Sequence, residues 1–161
     1  MRARGLPVTT RAERDGDRLT VRIQRPLVNF NSDNRHPHWG QKDAERRAWR
    51  SLIVAALLDA TTSREVLALL APSSDVPGAR GGTQERKRVH VIRGVPSKRN
   101  FIRDDFDNLR WCTKELRDAL KGLGLIRDDT SKWCEMSIDQ AVTEDQRWWT
   151  TIVIEPAEVS A

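Results

Sequence analysis

The chain has no tyrosine and only two cysteines among its 161 residues. The first absence removes tyrosine as a nucleophile. The second removes a disulfide framework. Cys112 and Cys134 do not form a Cys-x-x-Cys pair either, so both are predicted to be buried thiols in a reducing cytoplasm. No Cys/His cluster suggests zinc. No glycine-rich phosphate loop of P-loop type occurs, which argues against a phosphotransferase of that kind. The longest apolar run, Leu52 to Leu58, is far short of a bilayer span. Nothing apolar follows Met1-Arg2-Ala3-Arg4, so no secretory signal is expected.

What is present suits one soluble domain with a modest core: 38% of residues are hydrophobic and 32% charged. Charge is divided unevenly along the chain. Residues 1–103 carry 21 Lys and Arg against 10 Asp and Glu, a net of +11, whereas residues 104–161 carry 7 against 13, a net of −6. A basic first part suits a polyanionic partner, and an acidic second part suits a bound cation.

Residues 1–17 read as a loose arm or an edge strand around Val8. Leu19 to Ile23 alternates strictly and predicts a half-buried strand closed by Pro26. Leu27 to Gly40 is a loop rich in Asn, His and Pro. Its His36 and His38 are either metal ligands or solvated side chains. Its Trp39 reads as a lid over the core, with base stacking as the alternative. Gln41 to Asp59 predicts a helix whose polar side bears Lys42, Arg46, Arg47 and Arg50, either a phosphate-facing patch or an ordinary solvated face. A short helix at Arg64 to Ala71 and a mobile connection over 72–86 precede Arg86-Lys87-Arg88, which lead into a strand at Val89 to Ile92. His90 in that strand reads as a packed or surface side chain. Strands are also predicted at Cys134 to Ile138 and Trp148 to Glu155, separated by a loop from Gln140 to Arg147. Trp133, Trp148 and Trp149 are expected in the core or in a dimer interface. The order predicts an α+β single domain, a mixed four-stranded sheet packed with about three helices.

The chemistry concentrates between Asp104 and Asp129. Leu109, Cys112, Leu116, Leu120 and Leu123 alternate by three and four, predicting one amphipathic helix from Arg110 to Leu125 that ends at Gly122 and Gly124. Asp104-Asp105-Phe106-Asp107 stands at its start, and Asp128-Asp129 follows its end. A turn bringing the second cluster beside the first would gather carboxylates that only a cation reconciles, and hard Asp oxygens suit Mg²⁺ or Mn²⁺. The alternative is an Asp-rich helix start and a polar turn with no metal. Asp107 is also placed to cap the helix. Lys114, seven residues on, shares its helical side.

In order, Asp105-x-Asp107-Asn108-Leu109, Lys114, Asp118-Ala119-Leu120 and Asp128-Asp129 resemble the motif of the RusA-type Holliday-junction resolvases. The likeness is close over 101–139 and looser over 26–50, where Asn34-Arg35 and His38-Trp39 are similar to the family's amino-terminal loop. Better-known members have a helix three residues shorter, so Trp111 stands where their lysine does. Lys114 lies about 4.5 Å further along the axis. The resemblance implies a RusA-like fold and a cytoplasmic, bacterial or phage-encoded homodimer that resolves four-way DNA junctions with Mg²⁺, Mn²⁺ being possible. In that scheme Asp105, Asp107 and Asp129 hold the metal, with Asp128 assisting or shaping the turn, and Lys114 stabilises developing charge. Asn34, Arg35 and His38 would help hold DNA, with Lys42, Arg46, Arg47, Arg50, Arg86, Lys87, Arg88, Lys98 and Arg99 as the basic surface. A flap, fork or single-strand nuclease, or a DNA-binding protein with structural acids, are the other readings.

Overall fold

The computed structural model describes residues 8–27, 39–60, 86–102 and 106–157, without the side chains of 106–108. The first two strands are β1 (Thr10–Asp15) and β2 (Arg18–Ile23). They form a hairpin whose loop opens on Gly16, where φ is +56°. Positive φ at the first loop residue matches the right-handed strand twist and favours glycine there. Residues 10–15, within the stretch read from sequence as a loose arm or an edge strand around Val8, are therefore an edge strand that starts at Thr10. Helix α1 (Trp39–Ala60) follows. Then come β3 (Lys87–Val95), a 3₁₀ turn (Lys98–Asn100), α2 (Phe106–Cys112), α3 (Lys114–Gly122), β4 (Cys134–Val142) and β5 (Trp149–Pro156).

The strands make one five-stranded mixed sheet in the order β1-β2-β5-β3-β4, one strand more than the four anticipated. β3 and β4 are parallel and the other pairs antiparallel. A parallel pair needs a crossover long enough to hold a helix, and the segment carrying α2 and α3 supplies it. β4 also reaches Val142, so Gln140 lies in a strand and not in the loop predicted for it.

Alternation sends Leu19, Val21, Ile23, Val89, Val91, Ile152 and Ile154 to one sheet face, where they pack with Trp49, Ile53, Ala56 and Leu57 of α1 and Leu116, Ala119 and Leu120 of α3. Burying each large aliphatic side chain there stabilises the fold by about 1.5–3 kcal/mol. Trp49 is the tryptophan of this core. Trp133, Trp148 and Trp149 are only half-buried, and each lies under a guanidinium, from Arg127, Arg93 and Arg22 respectively. Their polar ring edges and large faces suit that amphipathic position better than the core, one of the two places expected for them, the other being a dimer interface. Trp39 is 74% exposed, so it is not a lid. The predicted helix at 64–71 and the connection at 72–86, up to residue 85, lie outside the described residues.

The long helix expected from Arg110 to Leu125 is broken at Thr113. Its hydroxyl donates to the Arg110 carbonyl at 2.7 Å, and its amide reaches the same oxygen at 3.2 Å. A threonine bonding back into the preceding turn competes with the helical ladder and bends it. Ion pairs tie α1 to α3: Arg46 Nη2 lies 3.2 Å from both Glu115 and Asp118. The Arg50 guanidinium lies over Gly122 and fills the space that a Cβ there would need.

Candidate functional site

The turn that delivers Asp128 and Asp129 is built by the end of α3. Leu125 N donates to Leu120 O and Gly124 N to Lys121 O, both at 3.1 Å, while Gly124 adopts φ +75°. This is a Schellman closure, which satisfies the last carbonyls and requires a left-handed residue. Leu125 and Ile126 are buried, so the chain is pulled back over the sheet immediately before the two aspartates. Asp128 Oδ1 then accepts from Thr130 N at 3.4 Å, and Thr130 O accepts from Trp133 N and Cys134 N at 2.9 and 2.8 Å. Arg127 stacks on Trp133 with its guanidinium carbon 3.8 Å from the ring centre. Asp129 is thus held on a turn bonded at both ends.

It opens on a groove of about 270 Å³, whose charged lining is Asp129, Arg86, Arg110, Arg117 and Glu135. Arg110, Thr113 and Arg117 reach this groove from α2, the bend and α3, at helical spacings of three and four. Asp129 lies 3.2 Å from Arg117 Nη1 and 3.4 Å from Lys121 Nζ. Burial pushes its carboxyl pKa up, but a hydrogen bond with the Asp128 side chain and the charges of Lys121 and Arg117 outweigh it and hold it below the usual carboxylate value. Cys134, also lining the groove, is raised to about 11, first by burial and then by the Asp129 charge. It stays a thiol at neutral pH and supplies no nucleophile. Cys112 is likewise buried and raised, chiefly by burial.

The segment entering α2 is fixed from the opposite side. Gln140 grips the Ile102 backbone twice, accepting from its amide at 2.9 Å and donating to its carbonyl at 3.0 Å. Arg93 donates to Asn100 O and to Gln140 Oε1, both at 2.8 Å. Burial lowers the Arg93 pKa, yet a guanidinium remains charged at neutral pH. These two residues anchor the chain just ahead of Asp104 and Asp105. Both escape sequence reasoning because their partners, backbone atoms of residues 100 and 102 and each other, lie on elements distant in the pattern.

Of the residues singled out from sequence, Asp129 and Arg86 share the groove, and Asp128 shapes the turn beside it. Asp107 stands one helical turn before Arg110 on α2, while its side chain, like Asp105, Asn34, Arg35 and His38, lies outside the described residues. Lys114 is exposed, 5.8 Å from the Trp111 ring centre, and does not line the groove. Arg46 is committed to Glu115 and Asp118, and Arg88 lies 3.6 Å from both Glu135 and Glu155. Arg50 packs over Gly122. Arg47 is 70% exposed and pairs with Asp43 one turn away. Lys42 and Lys87 are half-buried, and Lys98 and Arg99 are exposed on the 3₁₀ turn. Arg110 and Arg117 were not anticipated at the site. Their spacing to Thr113 marks one face, but nothing in sequence says that Asp129 comes back to it.

His90, on the sheet face opposite Met136 and Ile138, lies 2.7 Å from Ser137 Oγ and 3.4 Å from Asp139. It packs across neighbouring strands, in line with its reading as a surface side chain.

No group of three or more His, Cys, Asp or Glu is placed to hold a metal among the described residues. The donors that are described fit a hard divalent cation: an ionised Asp129 with Asp128 next to it. Compared with protein-family models and with curated proteins, the chain matches none.

Proposed function

We propose that the chain is a metal-dependent, structure-specific endodeoxyribonuclease of the RusA resolvase type, acting on four-way DNA junctions. The observation that carries this reading is the return of an ionised Asp129 to an arginine-lined groove beside the helix whose first turn contains Asp107. Carboxylate and guanidinium side by side suit a phosphodiester, whose oxygens take the cations while the acids take a divalent ion. Asp105, Asp107 and Asp129 would hold Mg²⁺ or Mn²⁺, with Asp128 shaping their turn. Bound there, the ion would activate water and neutralise charge on the phosphate. Arg93 and Gln140 position the segment that bears the first acids. A C₂ dimer presents two such sites to a nearly two-fold junction, and light scattering that finds only monomer with junction DNA would remove that part.

Cleavage of a labelled four-way junction, a flap, a fork and a single strand in Mg²⁺, Mn²⁺ or EDTA tests the reading. Metal-dependent paired cuts in the junction are expected. Asp107→Asn should keep junction binding and lower cleavage by orders of magnitude, and near-normal cleavage would refute the site. Preference for the flap or fork would reassign the substrate and leave the chemistry intact.

One observation favours a second reading. Both Asp129 oxygens already have cationic partners, as in a structural ion-pair cluster, which suits a non-catalytic DNA-binding protein. Calorimetric titration separates the two: Mg²⁺ heat abolished by Asp129→Asn belongs to the nuclease, and no heat belongs to the binding protein.

A further inference from the structure

We infer that Arg110, Arg117 and Arg86 form the phosphate-binding arm of this groove, and that Lys114 does not. The inference deepens the nuclease reading and rests on it. All three guanidinium groups line the same groove as Asp129, whereas Lys114 does not line it. Among the described residues no carboxylate pairs with Arg86 or Arg110, although twelve ion pairs engage other side chains such as Arg46, Arg88 and Lys121. With neither arginine paired among the described residues, three guanidinium groups stand against the carboxylates of Asp129 and Glu135, and the groove's net positive field suits an anion. The planar fork of each matches two oxygens of a phosphodiester.

Arg117 differs from the other two. Its side chain is 12% exposed and its Nη1 holds Asp129, so it spans acid and groove. Without substrate it neutralises Asp129. With a strand in the groove, the same guanidinium faces both the carboxylate and a phosphate oxygen and sets the distance between them. The bend at Thr113 makes this possible, because it places Arg110 and Arg117 toward the groove while Lys114 lies over Trp111.

The test measures binding, not cleavage. A fluorescein-labelled junction, a duplex and a single strand are titrated by anisotropy in EDTA across a range of NaCl. Arg110→Ala and Arg86→Ala should each reduce the slope of log affinity against log salt by about one and weaken all three DNAs alike, as expected for phosphate contacts. Lys114→Ala should leave the slope unchanged. Arg117 is semi-buried, so it is removed in an Asp129→Asn background, which leaves no unpaired carboxylate. Arg117→Ala there should lose about one more in slope, and Arg117→Lys should restore most of it. Thymidine monophosphate at matched ionic strength should displace the DNA only weakly. Full displacement at micromolar mononucleotide would overturn a polymeric ligand. Wild-type binding with unchanged slopes in Arg110→Ala and Arg86→Ala would overturn the phosphate arm and leave the nuclease reading standing. Wild type that binds none of the three DNAs would overturn both.

Discussion

Arg46→Ala is the sharpest perturbation the fold offers, because the sequence and the tertiary structure assign this residue opposite surroundings. As part of a basic helix face, its loss would be almost neutral for stability and harmful to DNA binding. In the fold, Arg46 Nη2 stands 3.2 Å from Glu115 Oε2 and from Asp118 Oδ2, and the Glu115 side chain is only 6% exposed. Removing the guanidinium therefore strands a buried carboxylate. Breaking one partner of a buried pair costs about 3–5 kcal/mol. Arg46 is itself 32% exposed, so water compensates in part and the low end, about 3 kcal/mol, applies. For a domain of this size each kcal/mol moves Tm by roughly 2–4 °C, so a fall of roughly 6–12 °C is expected. Arg47→Ala is the control, since its side chain is 70% exposed and its i,i+4 pair with Asp43 contributes under about 0.5 kcal/mol. Differential scanning calorimetry on both variants, with Glu115→Gln added to Arg46→Ala, completes the measurement. Glu115→Gln should recover part of the loss, because the stranded charge is gone. A Tm shift under about 1 °C for Arg46→Ala, together with weakened junction binding, would refute the inward assignment.

Three further outcomes follow from the geometry of the groove. Gly124→Ala should cost about 1–2 kcal/mol in urea denaturation, because φ +75° is left-handed and a Cβ is disfavoured there, and it should also lower cleavage by loosening the turn that carries Asp129. Asp129 has a depressed carboxyl pKa in the fold, so its stabilising contribution is fully present above the unfolded value of about 4 and is lost as pH falls through the folded one. The stability gap between wild type and Asp129→Asn, measured by urea titration at successive pH values, should shrink below about pH 4, and a constant gap would show that the ion pairs do not act on this carboxylate. Gln140→Ala removes both bonds to the Ile102 backbone and should cost about 1–3 kcal/mol; cleavage should fall further than binding, and equal losses of both would argue against a positioning role.

The α+β class was legible because local patterns govern it. Strict alternation at Leu19 to Ile23 and Val89 to Ile92, and a three-four stripe through Leu116 and Leu120 to Leu123, report which atoms must leave water. Gly124 was equally legible as a helix stop, since only its left-handed backbone closes the last turn. Elements left open or misjudged turned on thin or competing local signals. The hairpin strand Thr10–Asp15 is polar on its outer face and buries only Ala12, so its pattern left a loose arm and an edge strand both open. Thr113 looked like an ordinary helical position until its hydroxyl took the Arg110 carbonyl.

Charge was where sequence carried least. Residue type alone established that Asp128 and Asp129 are hard oxygen donors, that Cys112 and Cys134 form no framework, and that the first two-thirds of the chain is basic. The three-dimensional fold decided what each charge faces. Arg46 and Arg88 are drawn onto carboxylates from distant segments, while Arg110 and Arg117 meet Asp129 in one groove. The physical reason is range. Hydrophobic periodicity is written into neighbours a few residues apart, but an ion pair needs atoms within about 4 Å that belong to elements far separated in sequence; the packing of α1 on α3, the pairing of β3 with β4 and β5, and the closure after Gly124 bring them there.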